Sequence, residues 1–266
     1  MRSHVALQPG AGKMIQYVMK PITPYLWYDT EAEEAAELYT RVIPESRILR
    51  SGILEGTPSG LVEMISAEIA GSKLDLMSAG PFASFTPAVS FLLSFESADE
   101  VDAAWEELSK DGTIMMELGP YDFSKRYGWA ADRFGLSWQL MLTGEVPVQD
   151  RITPTLMFVG DVAGKAEEAI RHYASVFPES SVGEIMRWSG NETSDPEGTV
   201  KHASFALTGV PFAAMDSAFP HNFGFTEAIS FMARCDSQEE IDHLWDELSA
   251  VPEAEQCGWL KDRYGV

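Results

Sequence analysis

Cysteine, histidine and basic residues are scarce in this chain, and each shortage narrows what it can be. Two cysteines, Cys235 and Cys257, occur in 266 residues. Two do not make a disulfide framework, so a reducing, cytoplasmic setting is expected. Lys and Arg number 19 against 41 Asp and Glu, a net charge of −22. Phosphate backbones and anionic lipid surfaces both need clustered cations, so nucleic acid and membrane are excluded as expected partners. No window approaches the ~18 apolar residues of a membrane span. Met1–Lys20 holds no apolar run fit for a signal-peptide core. No G-x-G-x-x-G turn occurs, and Gly10-Ala11-Gly12 has no strand before it, which excludes a Rossmann-type cofactor turn. No histidine lies between Met14 and Arg171.

What is present is a duplication. Ile22-Thr23-Pro24-Tyr25-Leu26 returns as Ile152-Thr153-Pro154-Thr155-Leu156, and Pro44-Glu45-Ser46 as Pro178-Glu179-Ser180. Thr86–Phe91 returns as Thr226–Phe231, and Trp105–Ser109 as Trp245–Ser249. Gly128-Trp129 and Asp132–Gly135 return as Gly258-Trp259 and Asp262–Gly265. Order is kept and the offset stays between 130 and 140 residues, so two homologous domains stand in tandem. Hydrophobic content of 45% and aromatic content of 11% supply packed cores for both.

The plan is a floppy tail over 1–20, a first domain over 21–144, a linker over 145–151 and a second domain over 152–266. Met14 or Met19 could equally serve as the natural start. In the first half, Pro21–Tyr28 reads as a strand and Glu31–Ile43 as a helix, with Ala32, Ala35, Ala36, Tyr39 and Ile43 on one face. Arg47–Leu54, Leu61–Ile69 and Lys73–Met77 read as strands, the last two a hairpin around Ala70-Gly71-Ser72. Val89–Phe95 is a strand, and Ala98–Leu108 a helix opened by Ser97 with Glu100 at capping-box spacing. Thr113–Glu117, Gly128–Asp132 and Ser137–Leu142 complete a βαβββ–βαβββ order. The second half repeats it, with helices at Gly164–Val176 and Gln238–Leu248. Val266 corresponds to Leu136, so the second domain is expected to lack the counterpart of Ser137–Leu142. The open edge invites pairing with another chain, which makes a homo-oligomer one partner to consider.

The Ile-Thr-Pro strand, the Glu-Ala-rich helix ending in Tyr, the Pro-Glu-Ser turn, Ala228-Ile229-Ser230-Phe231 and Cys257–Gly265 carry a resemblance. The chain resembles the vicinal oxygen chelate (glyoxalase and bleomycin-resistance) superfamily, and within it the PhnB-like branch, often labelled a 3-demethylubiquinone-9 3-methyltransferase domain. The resemblance implies an α+β fold: a tandem duplication of paired βαβββ modules whose sheets curl into glyoxalase-like cups. The label would also imply S-adenosylmethionine, which the missing Gly-rich turn argues against.

Comparing the halves sorts the strand faces. Leu26, Tyr28, Leu156 and Phe158 keep their type and are expected to pack under helices, because side chains alternate along a strand. Tyr25 and Trp27 become Thr155 and Met157, so these four are expected to line the cups. By the same reasoning Met64, Ser66 and Glu68 oppose His202, Ser204 and Ala206, and Ser90 and Ser94 oppose Ser230 and Arg234. Trp129 and Trp259 open a penultimate strand and could wall the cups. Trp105 and Trp245 read as core, and His172 and His243 as surface residues. Cys235 and Cys257 align with Phe95 and Tyr127 and read as space-fillers.

Metal-using members of the superfamily draw His, Gln or Glu ligands from the cup strands. The resemblance places Met64 and His202 at the hairpin ligand position, and Gln139 at the final-strand position of the first half. The first cup is thus expected to offer at most Glu68 and Gln139, and the second His202. The expected function is small-molecule binding without a cofactor. The alternative is a lyase, isomerase or dioxygenase-like enzyme using one divalent metal.

Overall fold

The computed structural model describes residues 19–57, 60–144, 148, 150–190 and 195–266. Most of the expected tail and of the linker lies outside them. Thirteen described strands and four α-helices follow one another as β1 (Thr23–Tyr28), α1 (Ala32–Val42), β2 (Arg47–Thr57), β3 (Gly60–Ile69), β4 (Ser72–Ser78), β5 (Val89–Phe95), α2 (Ala98–Leu108), β6 (Thr113–Tyr121), β7 (Ser124–Ala131), β8 (Ser137–Leu142), β9 (Ile152–Phe158), α3 (Ala166–Val176), β10 (Ser181–Arg187), β11 (Val200–Leu207), β12 (Val210–Asp216), β13 (Ile229–Met232) and α4 (Gln238–Leu248). No described helix is long and apolar enough to cross a membrane.

In α2 and α4 apolar spacing and side-chain capping coincide, whereas α1 and α3 have no side-chain cap. Ser97 Oγ accepts from Glu100 N at 3.3 Å, and Ser237 Oγ accepts from Glu240 N at 3.2 Å, so α2 and α4 start on the same cap. Leu26, Tyr28, Leu156 and Phe158 are buried under the helices, as the comparison of the halves requires.

The sheets, however, are not divided between the halves. One sheet runs β13-β1-β4-β3-β2, and the other runs β10-β11-β12-β9-β5-β8-β7-β6. The first module therefore pairs with the fourth, and the second with the third. The joints match: Trp27 N donates to Ala228 O at 2.8 Å, and Met157 N to Ala88 O at 2.8 Å. This corrects the expectation that each half closes its own cup. Glu68 and Gln139 lie in different sheets.

The fourth module also departs further from its repeat than expected. After α4 the described residues hold no strand, only an isolated bridge between Gln256 and Trp259. The repeat offset falls from 140 at Leu108/Leu248 to 130 at Gly128/Gly258, so the stretch that forms β6 and the start of β7 is ten residues shorter in the fourth module. Cys257 is consequently in a turn with φ 51°, not in a strand. One edge of β13 is unpaired among the described residues. Trp245, read as core, is half-buried and lines a cavity instead.

Candidate functional site

A cavity of about 1140 Å³ opens in the cup of the five-stranded sheet. Alternation on β1, β3 and β4 sends Leu26, Ile65, Leu74 and Leu76 to the helix side, where Ile65 and Leu76 still border the cavity, and Tyr25, Ser66 and Asp75 to the cup. Past the free edge of β13 the cavity continues between α3 and α4, where Tyr173, Phe177, Leu244 and Leu248 line it.

Asp75 is the centre of this cup. Its carboxylate is buried and receives a hydrogen bond from Ser66 Oγ. Oδ2 also accepts from Lys73 Nζ at 3.0 Å and from Arg234 at 3.0 Å. Arg234 follows β13, so the ion pair spans 159 positions and closes the cup between the first and fourth modules. Burial pushes the Tyr25 phenol up, Asp75 adds to the rise, and the Arg50 guanidinium opposes it. Arg50 lines the same cavity and has no hydrogen-bond or ion-pair partner among the described residues.

Aromatic rings line the cup beside Asp75, whose register partner on β1 is Tyr25. Trp259 meets Tyr25 edge-on at 6.3 Å and Trp27 at 6.4 Å, and Trp27 meets Phe82 at 5.9 Å. Trp27 Nε1 is spent on Gly80 O at 2.8 Å, and Trp259 Nε1 reaches Ser230 Oγ at 3.3 Å. Tyr25, Ser66, Ser230 and Trp259 all line the cavity. Trp27 backs the wall without lining it. Glu68 stands aside, paired with Arg47 at 3.2 Å.

The other seven sequence candidates fall in the eight-stranded sheet, where several are tied to one another. Gln139 Nε2 donates to Ser90 Oγ at 2.7 Å, and Tyr127 donates to Gln139 Oε1 at 2.6 Å. Trp129 Nε1 donates to Ser137 Oγ at 2.8 Å. Thr155 and Met157 are buried. Ser204 Oγ accepts from Glu184 N at 3.1 Å where β10 bulges. Burial pulls the His202 pKa down, and Glu184 partly restores it.

A divalent metal would need several N or O donors converging on one point. Among the described residues no three of His, Cys, Asp and Glu do so. The donors present do not fit one either. Asp75 is already held by Lys73 and Arg234, so a metal ion there would meet two fixed positive charges. Gln139 has both amide atoms engaged, which leaves His202 without a second donor from that residue.

Sequence reasoning passed over Asp75, Lys73 and Arg50. Asp75 sits in alternation with Leu74 and Leu76, and an acidic residue inside an apolar strand was the available signal. Arg234 was placed on the cup face, but its partner was not foreseeable. His172, read as a surface residue, is half-buried between Glu247 O at 3.2 Å and Arg263 at 3.1 Å.

A family model described as 3-demethylubiquinone-9 3-methyltransferase matches residues 20–141 and again 150–266. Among solved structures, a PhnB protein from Bacillus cereus is 31% identical over 46% of this chain and 98% of its own, with a TM-score of 0.43. A glyoxalase I mutant from Zea mays is 13% identical over 85% of this chain and 80% of its own, with a TM-score of 0.50, a likeness of fold alone. A fosfomycin resistance protein from Listeria monocytogenes is 15% identical over 44% of this chain and 88% of its own, with a TM-score of 0.34. No curated protein matches the chain.

Proposed function

The chain belongs to the 3-demethylubiquinone-9 3-methyltransferase family, and within it we propose a small-molecule binding protein of the vicinal oxygen chelate kind, whose ligand occupies the cup of the five-stranded sheet without a metal. The observation that carries this reading is the cavity of about 1140 Å³ with Asp75 and Arg234 on its floor and Tyr25 and Trp259 on its wall. Binding pockets pair apolar surface with a few placed polar groups, and this cup has both. The ion pair and the rings come from modules at opposite ends of the chain, so the folded pair of halves assembles the pocket before a ligand arrives.

Methyl transfer is not part of the proposal. The connection from β1 to α1 is Asp29-Thr30-Glu31, with no glycine to let a backbone approach a cofactor. Two free cysteines suit a reducing compartment, and we place the protein there.

Ligand-observed NMR against a library of small metabolites tests the reading. Hits should disappear in Ser66→Trp, whose indole fills the cup, and persist in Ser204→Trp in the other sheet. Hits that survive the filled cup would refute it.

A further inference from the structure

The geometry points to a ligand that carries an oxyanion, such as a carboxylate, on a flat apolar ring system; this rests on the cup being the binding site. The chain is strongly acidic, with 41 acids against 19 bases. Yet Lys73 and Arg234 both pair with one buried carboxylate, Asp75, and a third cation, Arg50, lies close enough to Tyr25 to oppose the rise in its pKa. Glu68, the other acid on this face, is committed to Arg47. Asp262 also borders the cavity, at its α3–α4 end, but its oxygens accept from Tyr173, Tyr264 N and Val266 N. At the Tyr25 end, away from Asp262, the cations Lys73, Arg234 and Arg50 outnumber the one carboxylate Asp75.

Two of these cations reach the cavity. Arg234 is held on Asp75 through one amino nitrogen, and its side chain remains 35% exposed. Arg50 stands on β2 opposite Ser66 and has no partner among the described residues. Guanidinium groups present planar forks that fit oxyanions better than they fit neutral carbonyls. Tyr25 and Trp259 offer ring faces and edges to the remainder of the ligand. A neutral ligand would gain no ion pair from Arg50 and Arg234, and a cation would be repelled by them.

Matched pairs of probes test this: benzoate with benzamide, and naphthoate with naphthamide, titrated into the full chain by calorimetry and ligand-observed NMR. Each carboxylate should bind about tenfold or more tighter than its amide, with an affinity that falls as salt rises. Arg50→Gln, which breaks no hydrogen bond or ion pair among the described residues, should cost the carboxylates about tenfold and leave the amides unchanged. Arg234→Lys should retain most of the preference, and Arg234→Gln should lose it, with melting curves confirming that each variant is folded. Amides binding as tightly as carboxylates would overturn the oxyanion while leaving the cup as a binding site. Carboxylate affinity indifferent to Arg50→Gln would do the same. Failure of both series to bind would overturn the inference and the binding reading together.

Discussion

Tyr39 donates its hydroxyl to Asp132 Oδ2 at 2.6 Å, and so ties α1 of the first module to the turn that closes the second. The same carboxylate accepts from Trp138 Nε1 at 2.9 Å, Phe134 N at 2.9 Å and Leu136 N at 3.0 Å. Burial pushes the Asp132 pKa up, and these four donors pull it back. The relationship recurs in the second half, where Tyr173 donates to Asp262 and Asp262 accepts from Tyr264 N and Val266 N. These bonds join modules within a half, whereas the strands join modules across halves. The two sets of contacts cross-brace the molecule.

Tyr39→Phe should therefore destabilise the whole fold. Removing a donor from a buried carboxylate costs roughly 1.5–3 kcal/mol. Urea melts should show the loss, and Tyr173→Phe should cost a similar amount. A change under about 0.5 kcal/mol in both would mean that the bracing contributes nothing.

Gly128 and Gly258 occupy equivalent places in the repeat but are glycines for different reasons. A Cβ on Gly128 would fall 2.5 Å from the Trp105 ring. Gly258 has φ +90° and open space around it. Gly128→Ala should cost roughly 1–3 kcal/mol through overpacking, and Gly258→Ala about 1–2 kcal/mol through backbone strain. Trimming Trp105 to Leu should relieve the first penalty in a double-mutant cycle. Trimming Trp245 should leave the second untouched. Equal behaviour of the two cycles would contradict this assignment.

The free edge of β13 and the groove beside α4 should accept a strand. In the other half β8 fills that place, and its Trp138 and Leu140 are fully buried. Appending Ser-Trp-Gln-Leu-Met-Leu after Val266 should raise the melting temperature, since each large side chain contributes ~1.5–3 kcal/mol on burial. It should also lower self-association measured by sedimentation, because paired edges do not recruit other chains. No change in either quantity would show that the edge is not open in solution.

Acid should weaken the fold through His202. Burial lowers its pKa in the folded state, so the unfolded chain binds the proton more readily. The contribution is complete above the unfolded value of about 6.5 and is lost as pH falls toward the lower folded value. His221 is shifted the same way by burial and adds to the effect. His202→Gln should flatten the dependence of stability on pH in this window. An unaltered slope would rule His202 out as its source.

The duplication, the helices and the facing of the strands were legible because they are local. Helix and strand periods place Leu26 and Tyr28 on one side and Tyr25 on the other without reference to any distant residue. Ser97 and Ser237 announce their helices by the spacing to Glu100 and Glu240. The shortening of the fourth module after α4 was also written in the sequence, as a ten-residue fall in the repeat offset between Leu248 and Gly258. Which module pairs with which was not. Both β1 and β9 offer an edge, and both β5 and β13 can take one, so the pattern of a single strand is equally satisfied by either partner. Only the packing of all four modules selects β1 with β13 and β5 with β9. That choice sends Gln139 and Glu68 to separate sheets and brings Arg234 across 159 positions to Asp75. A buried charge needs an opposite charge within a few ångströms, and a chain folded at long range supplies it from a place that no local pattern can name.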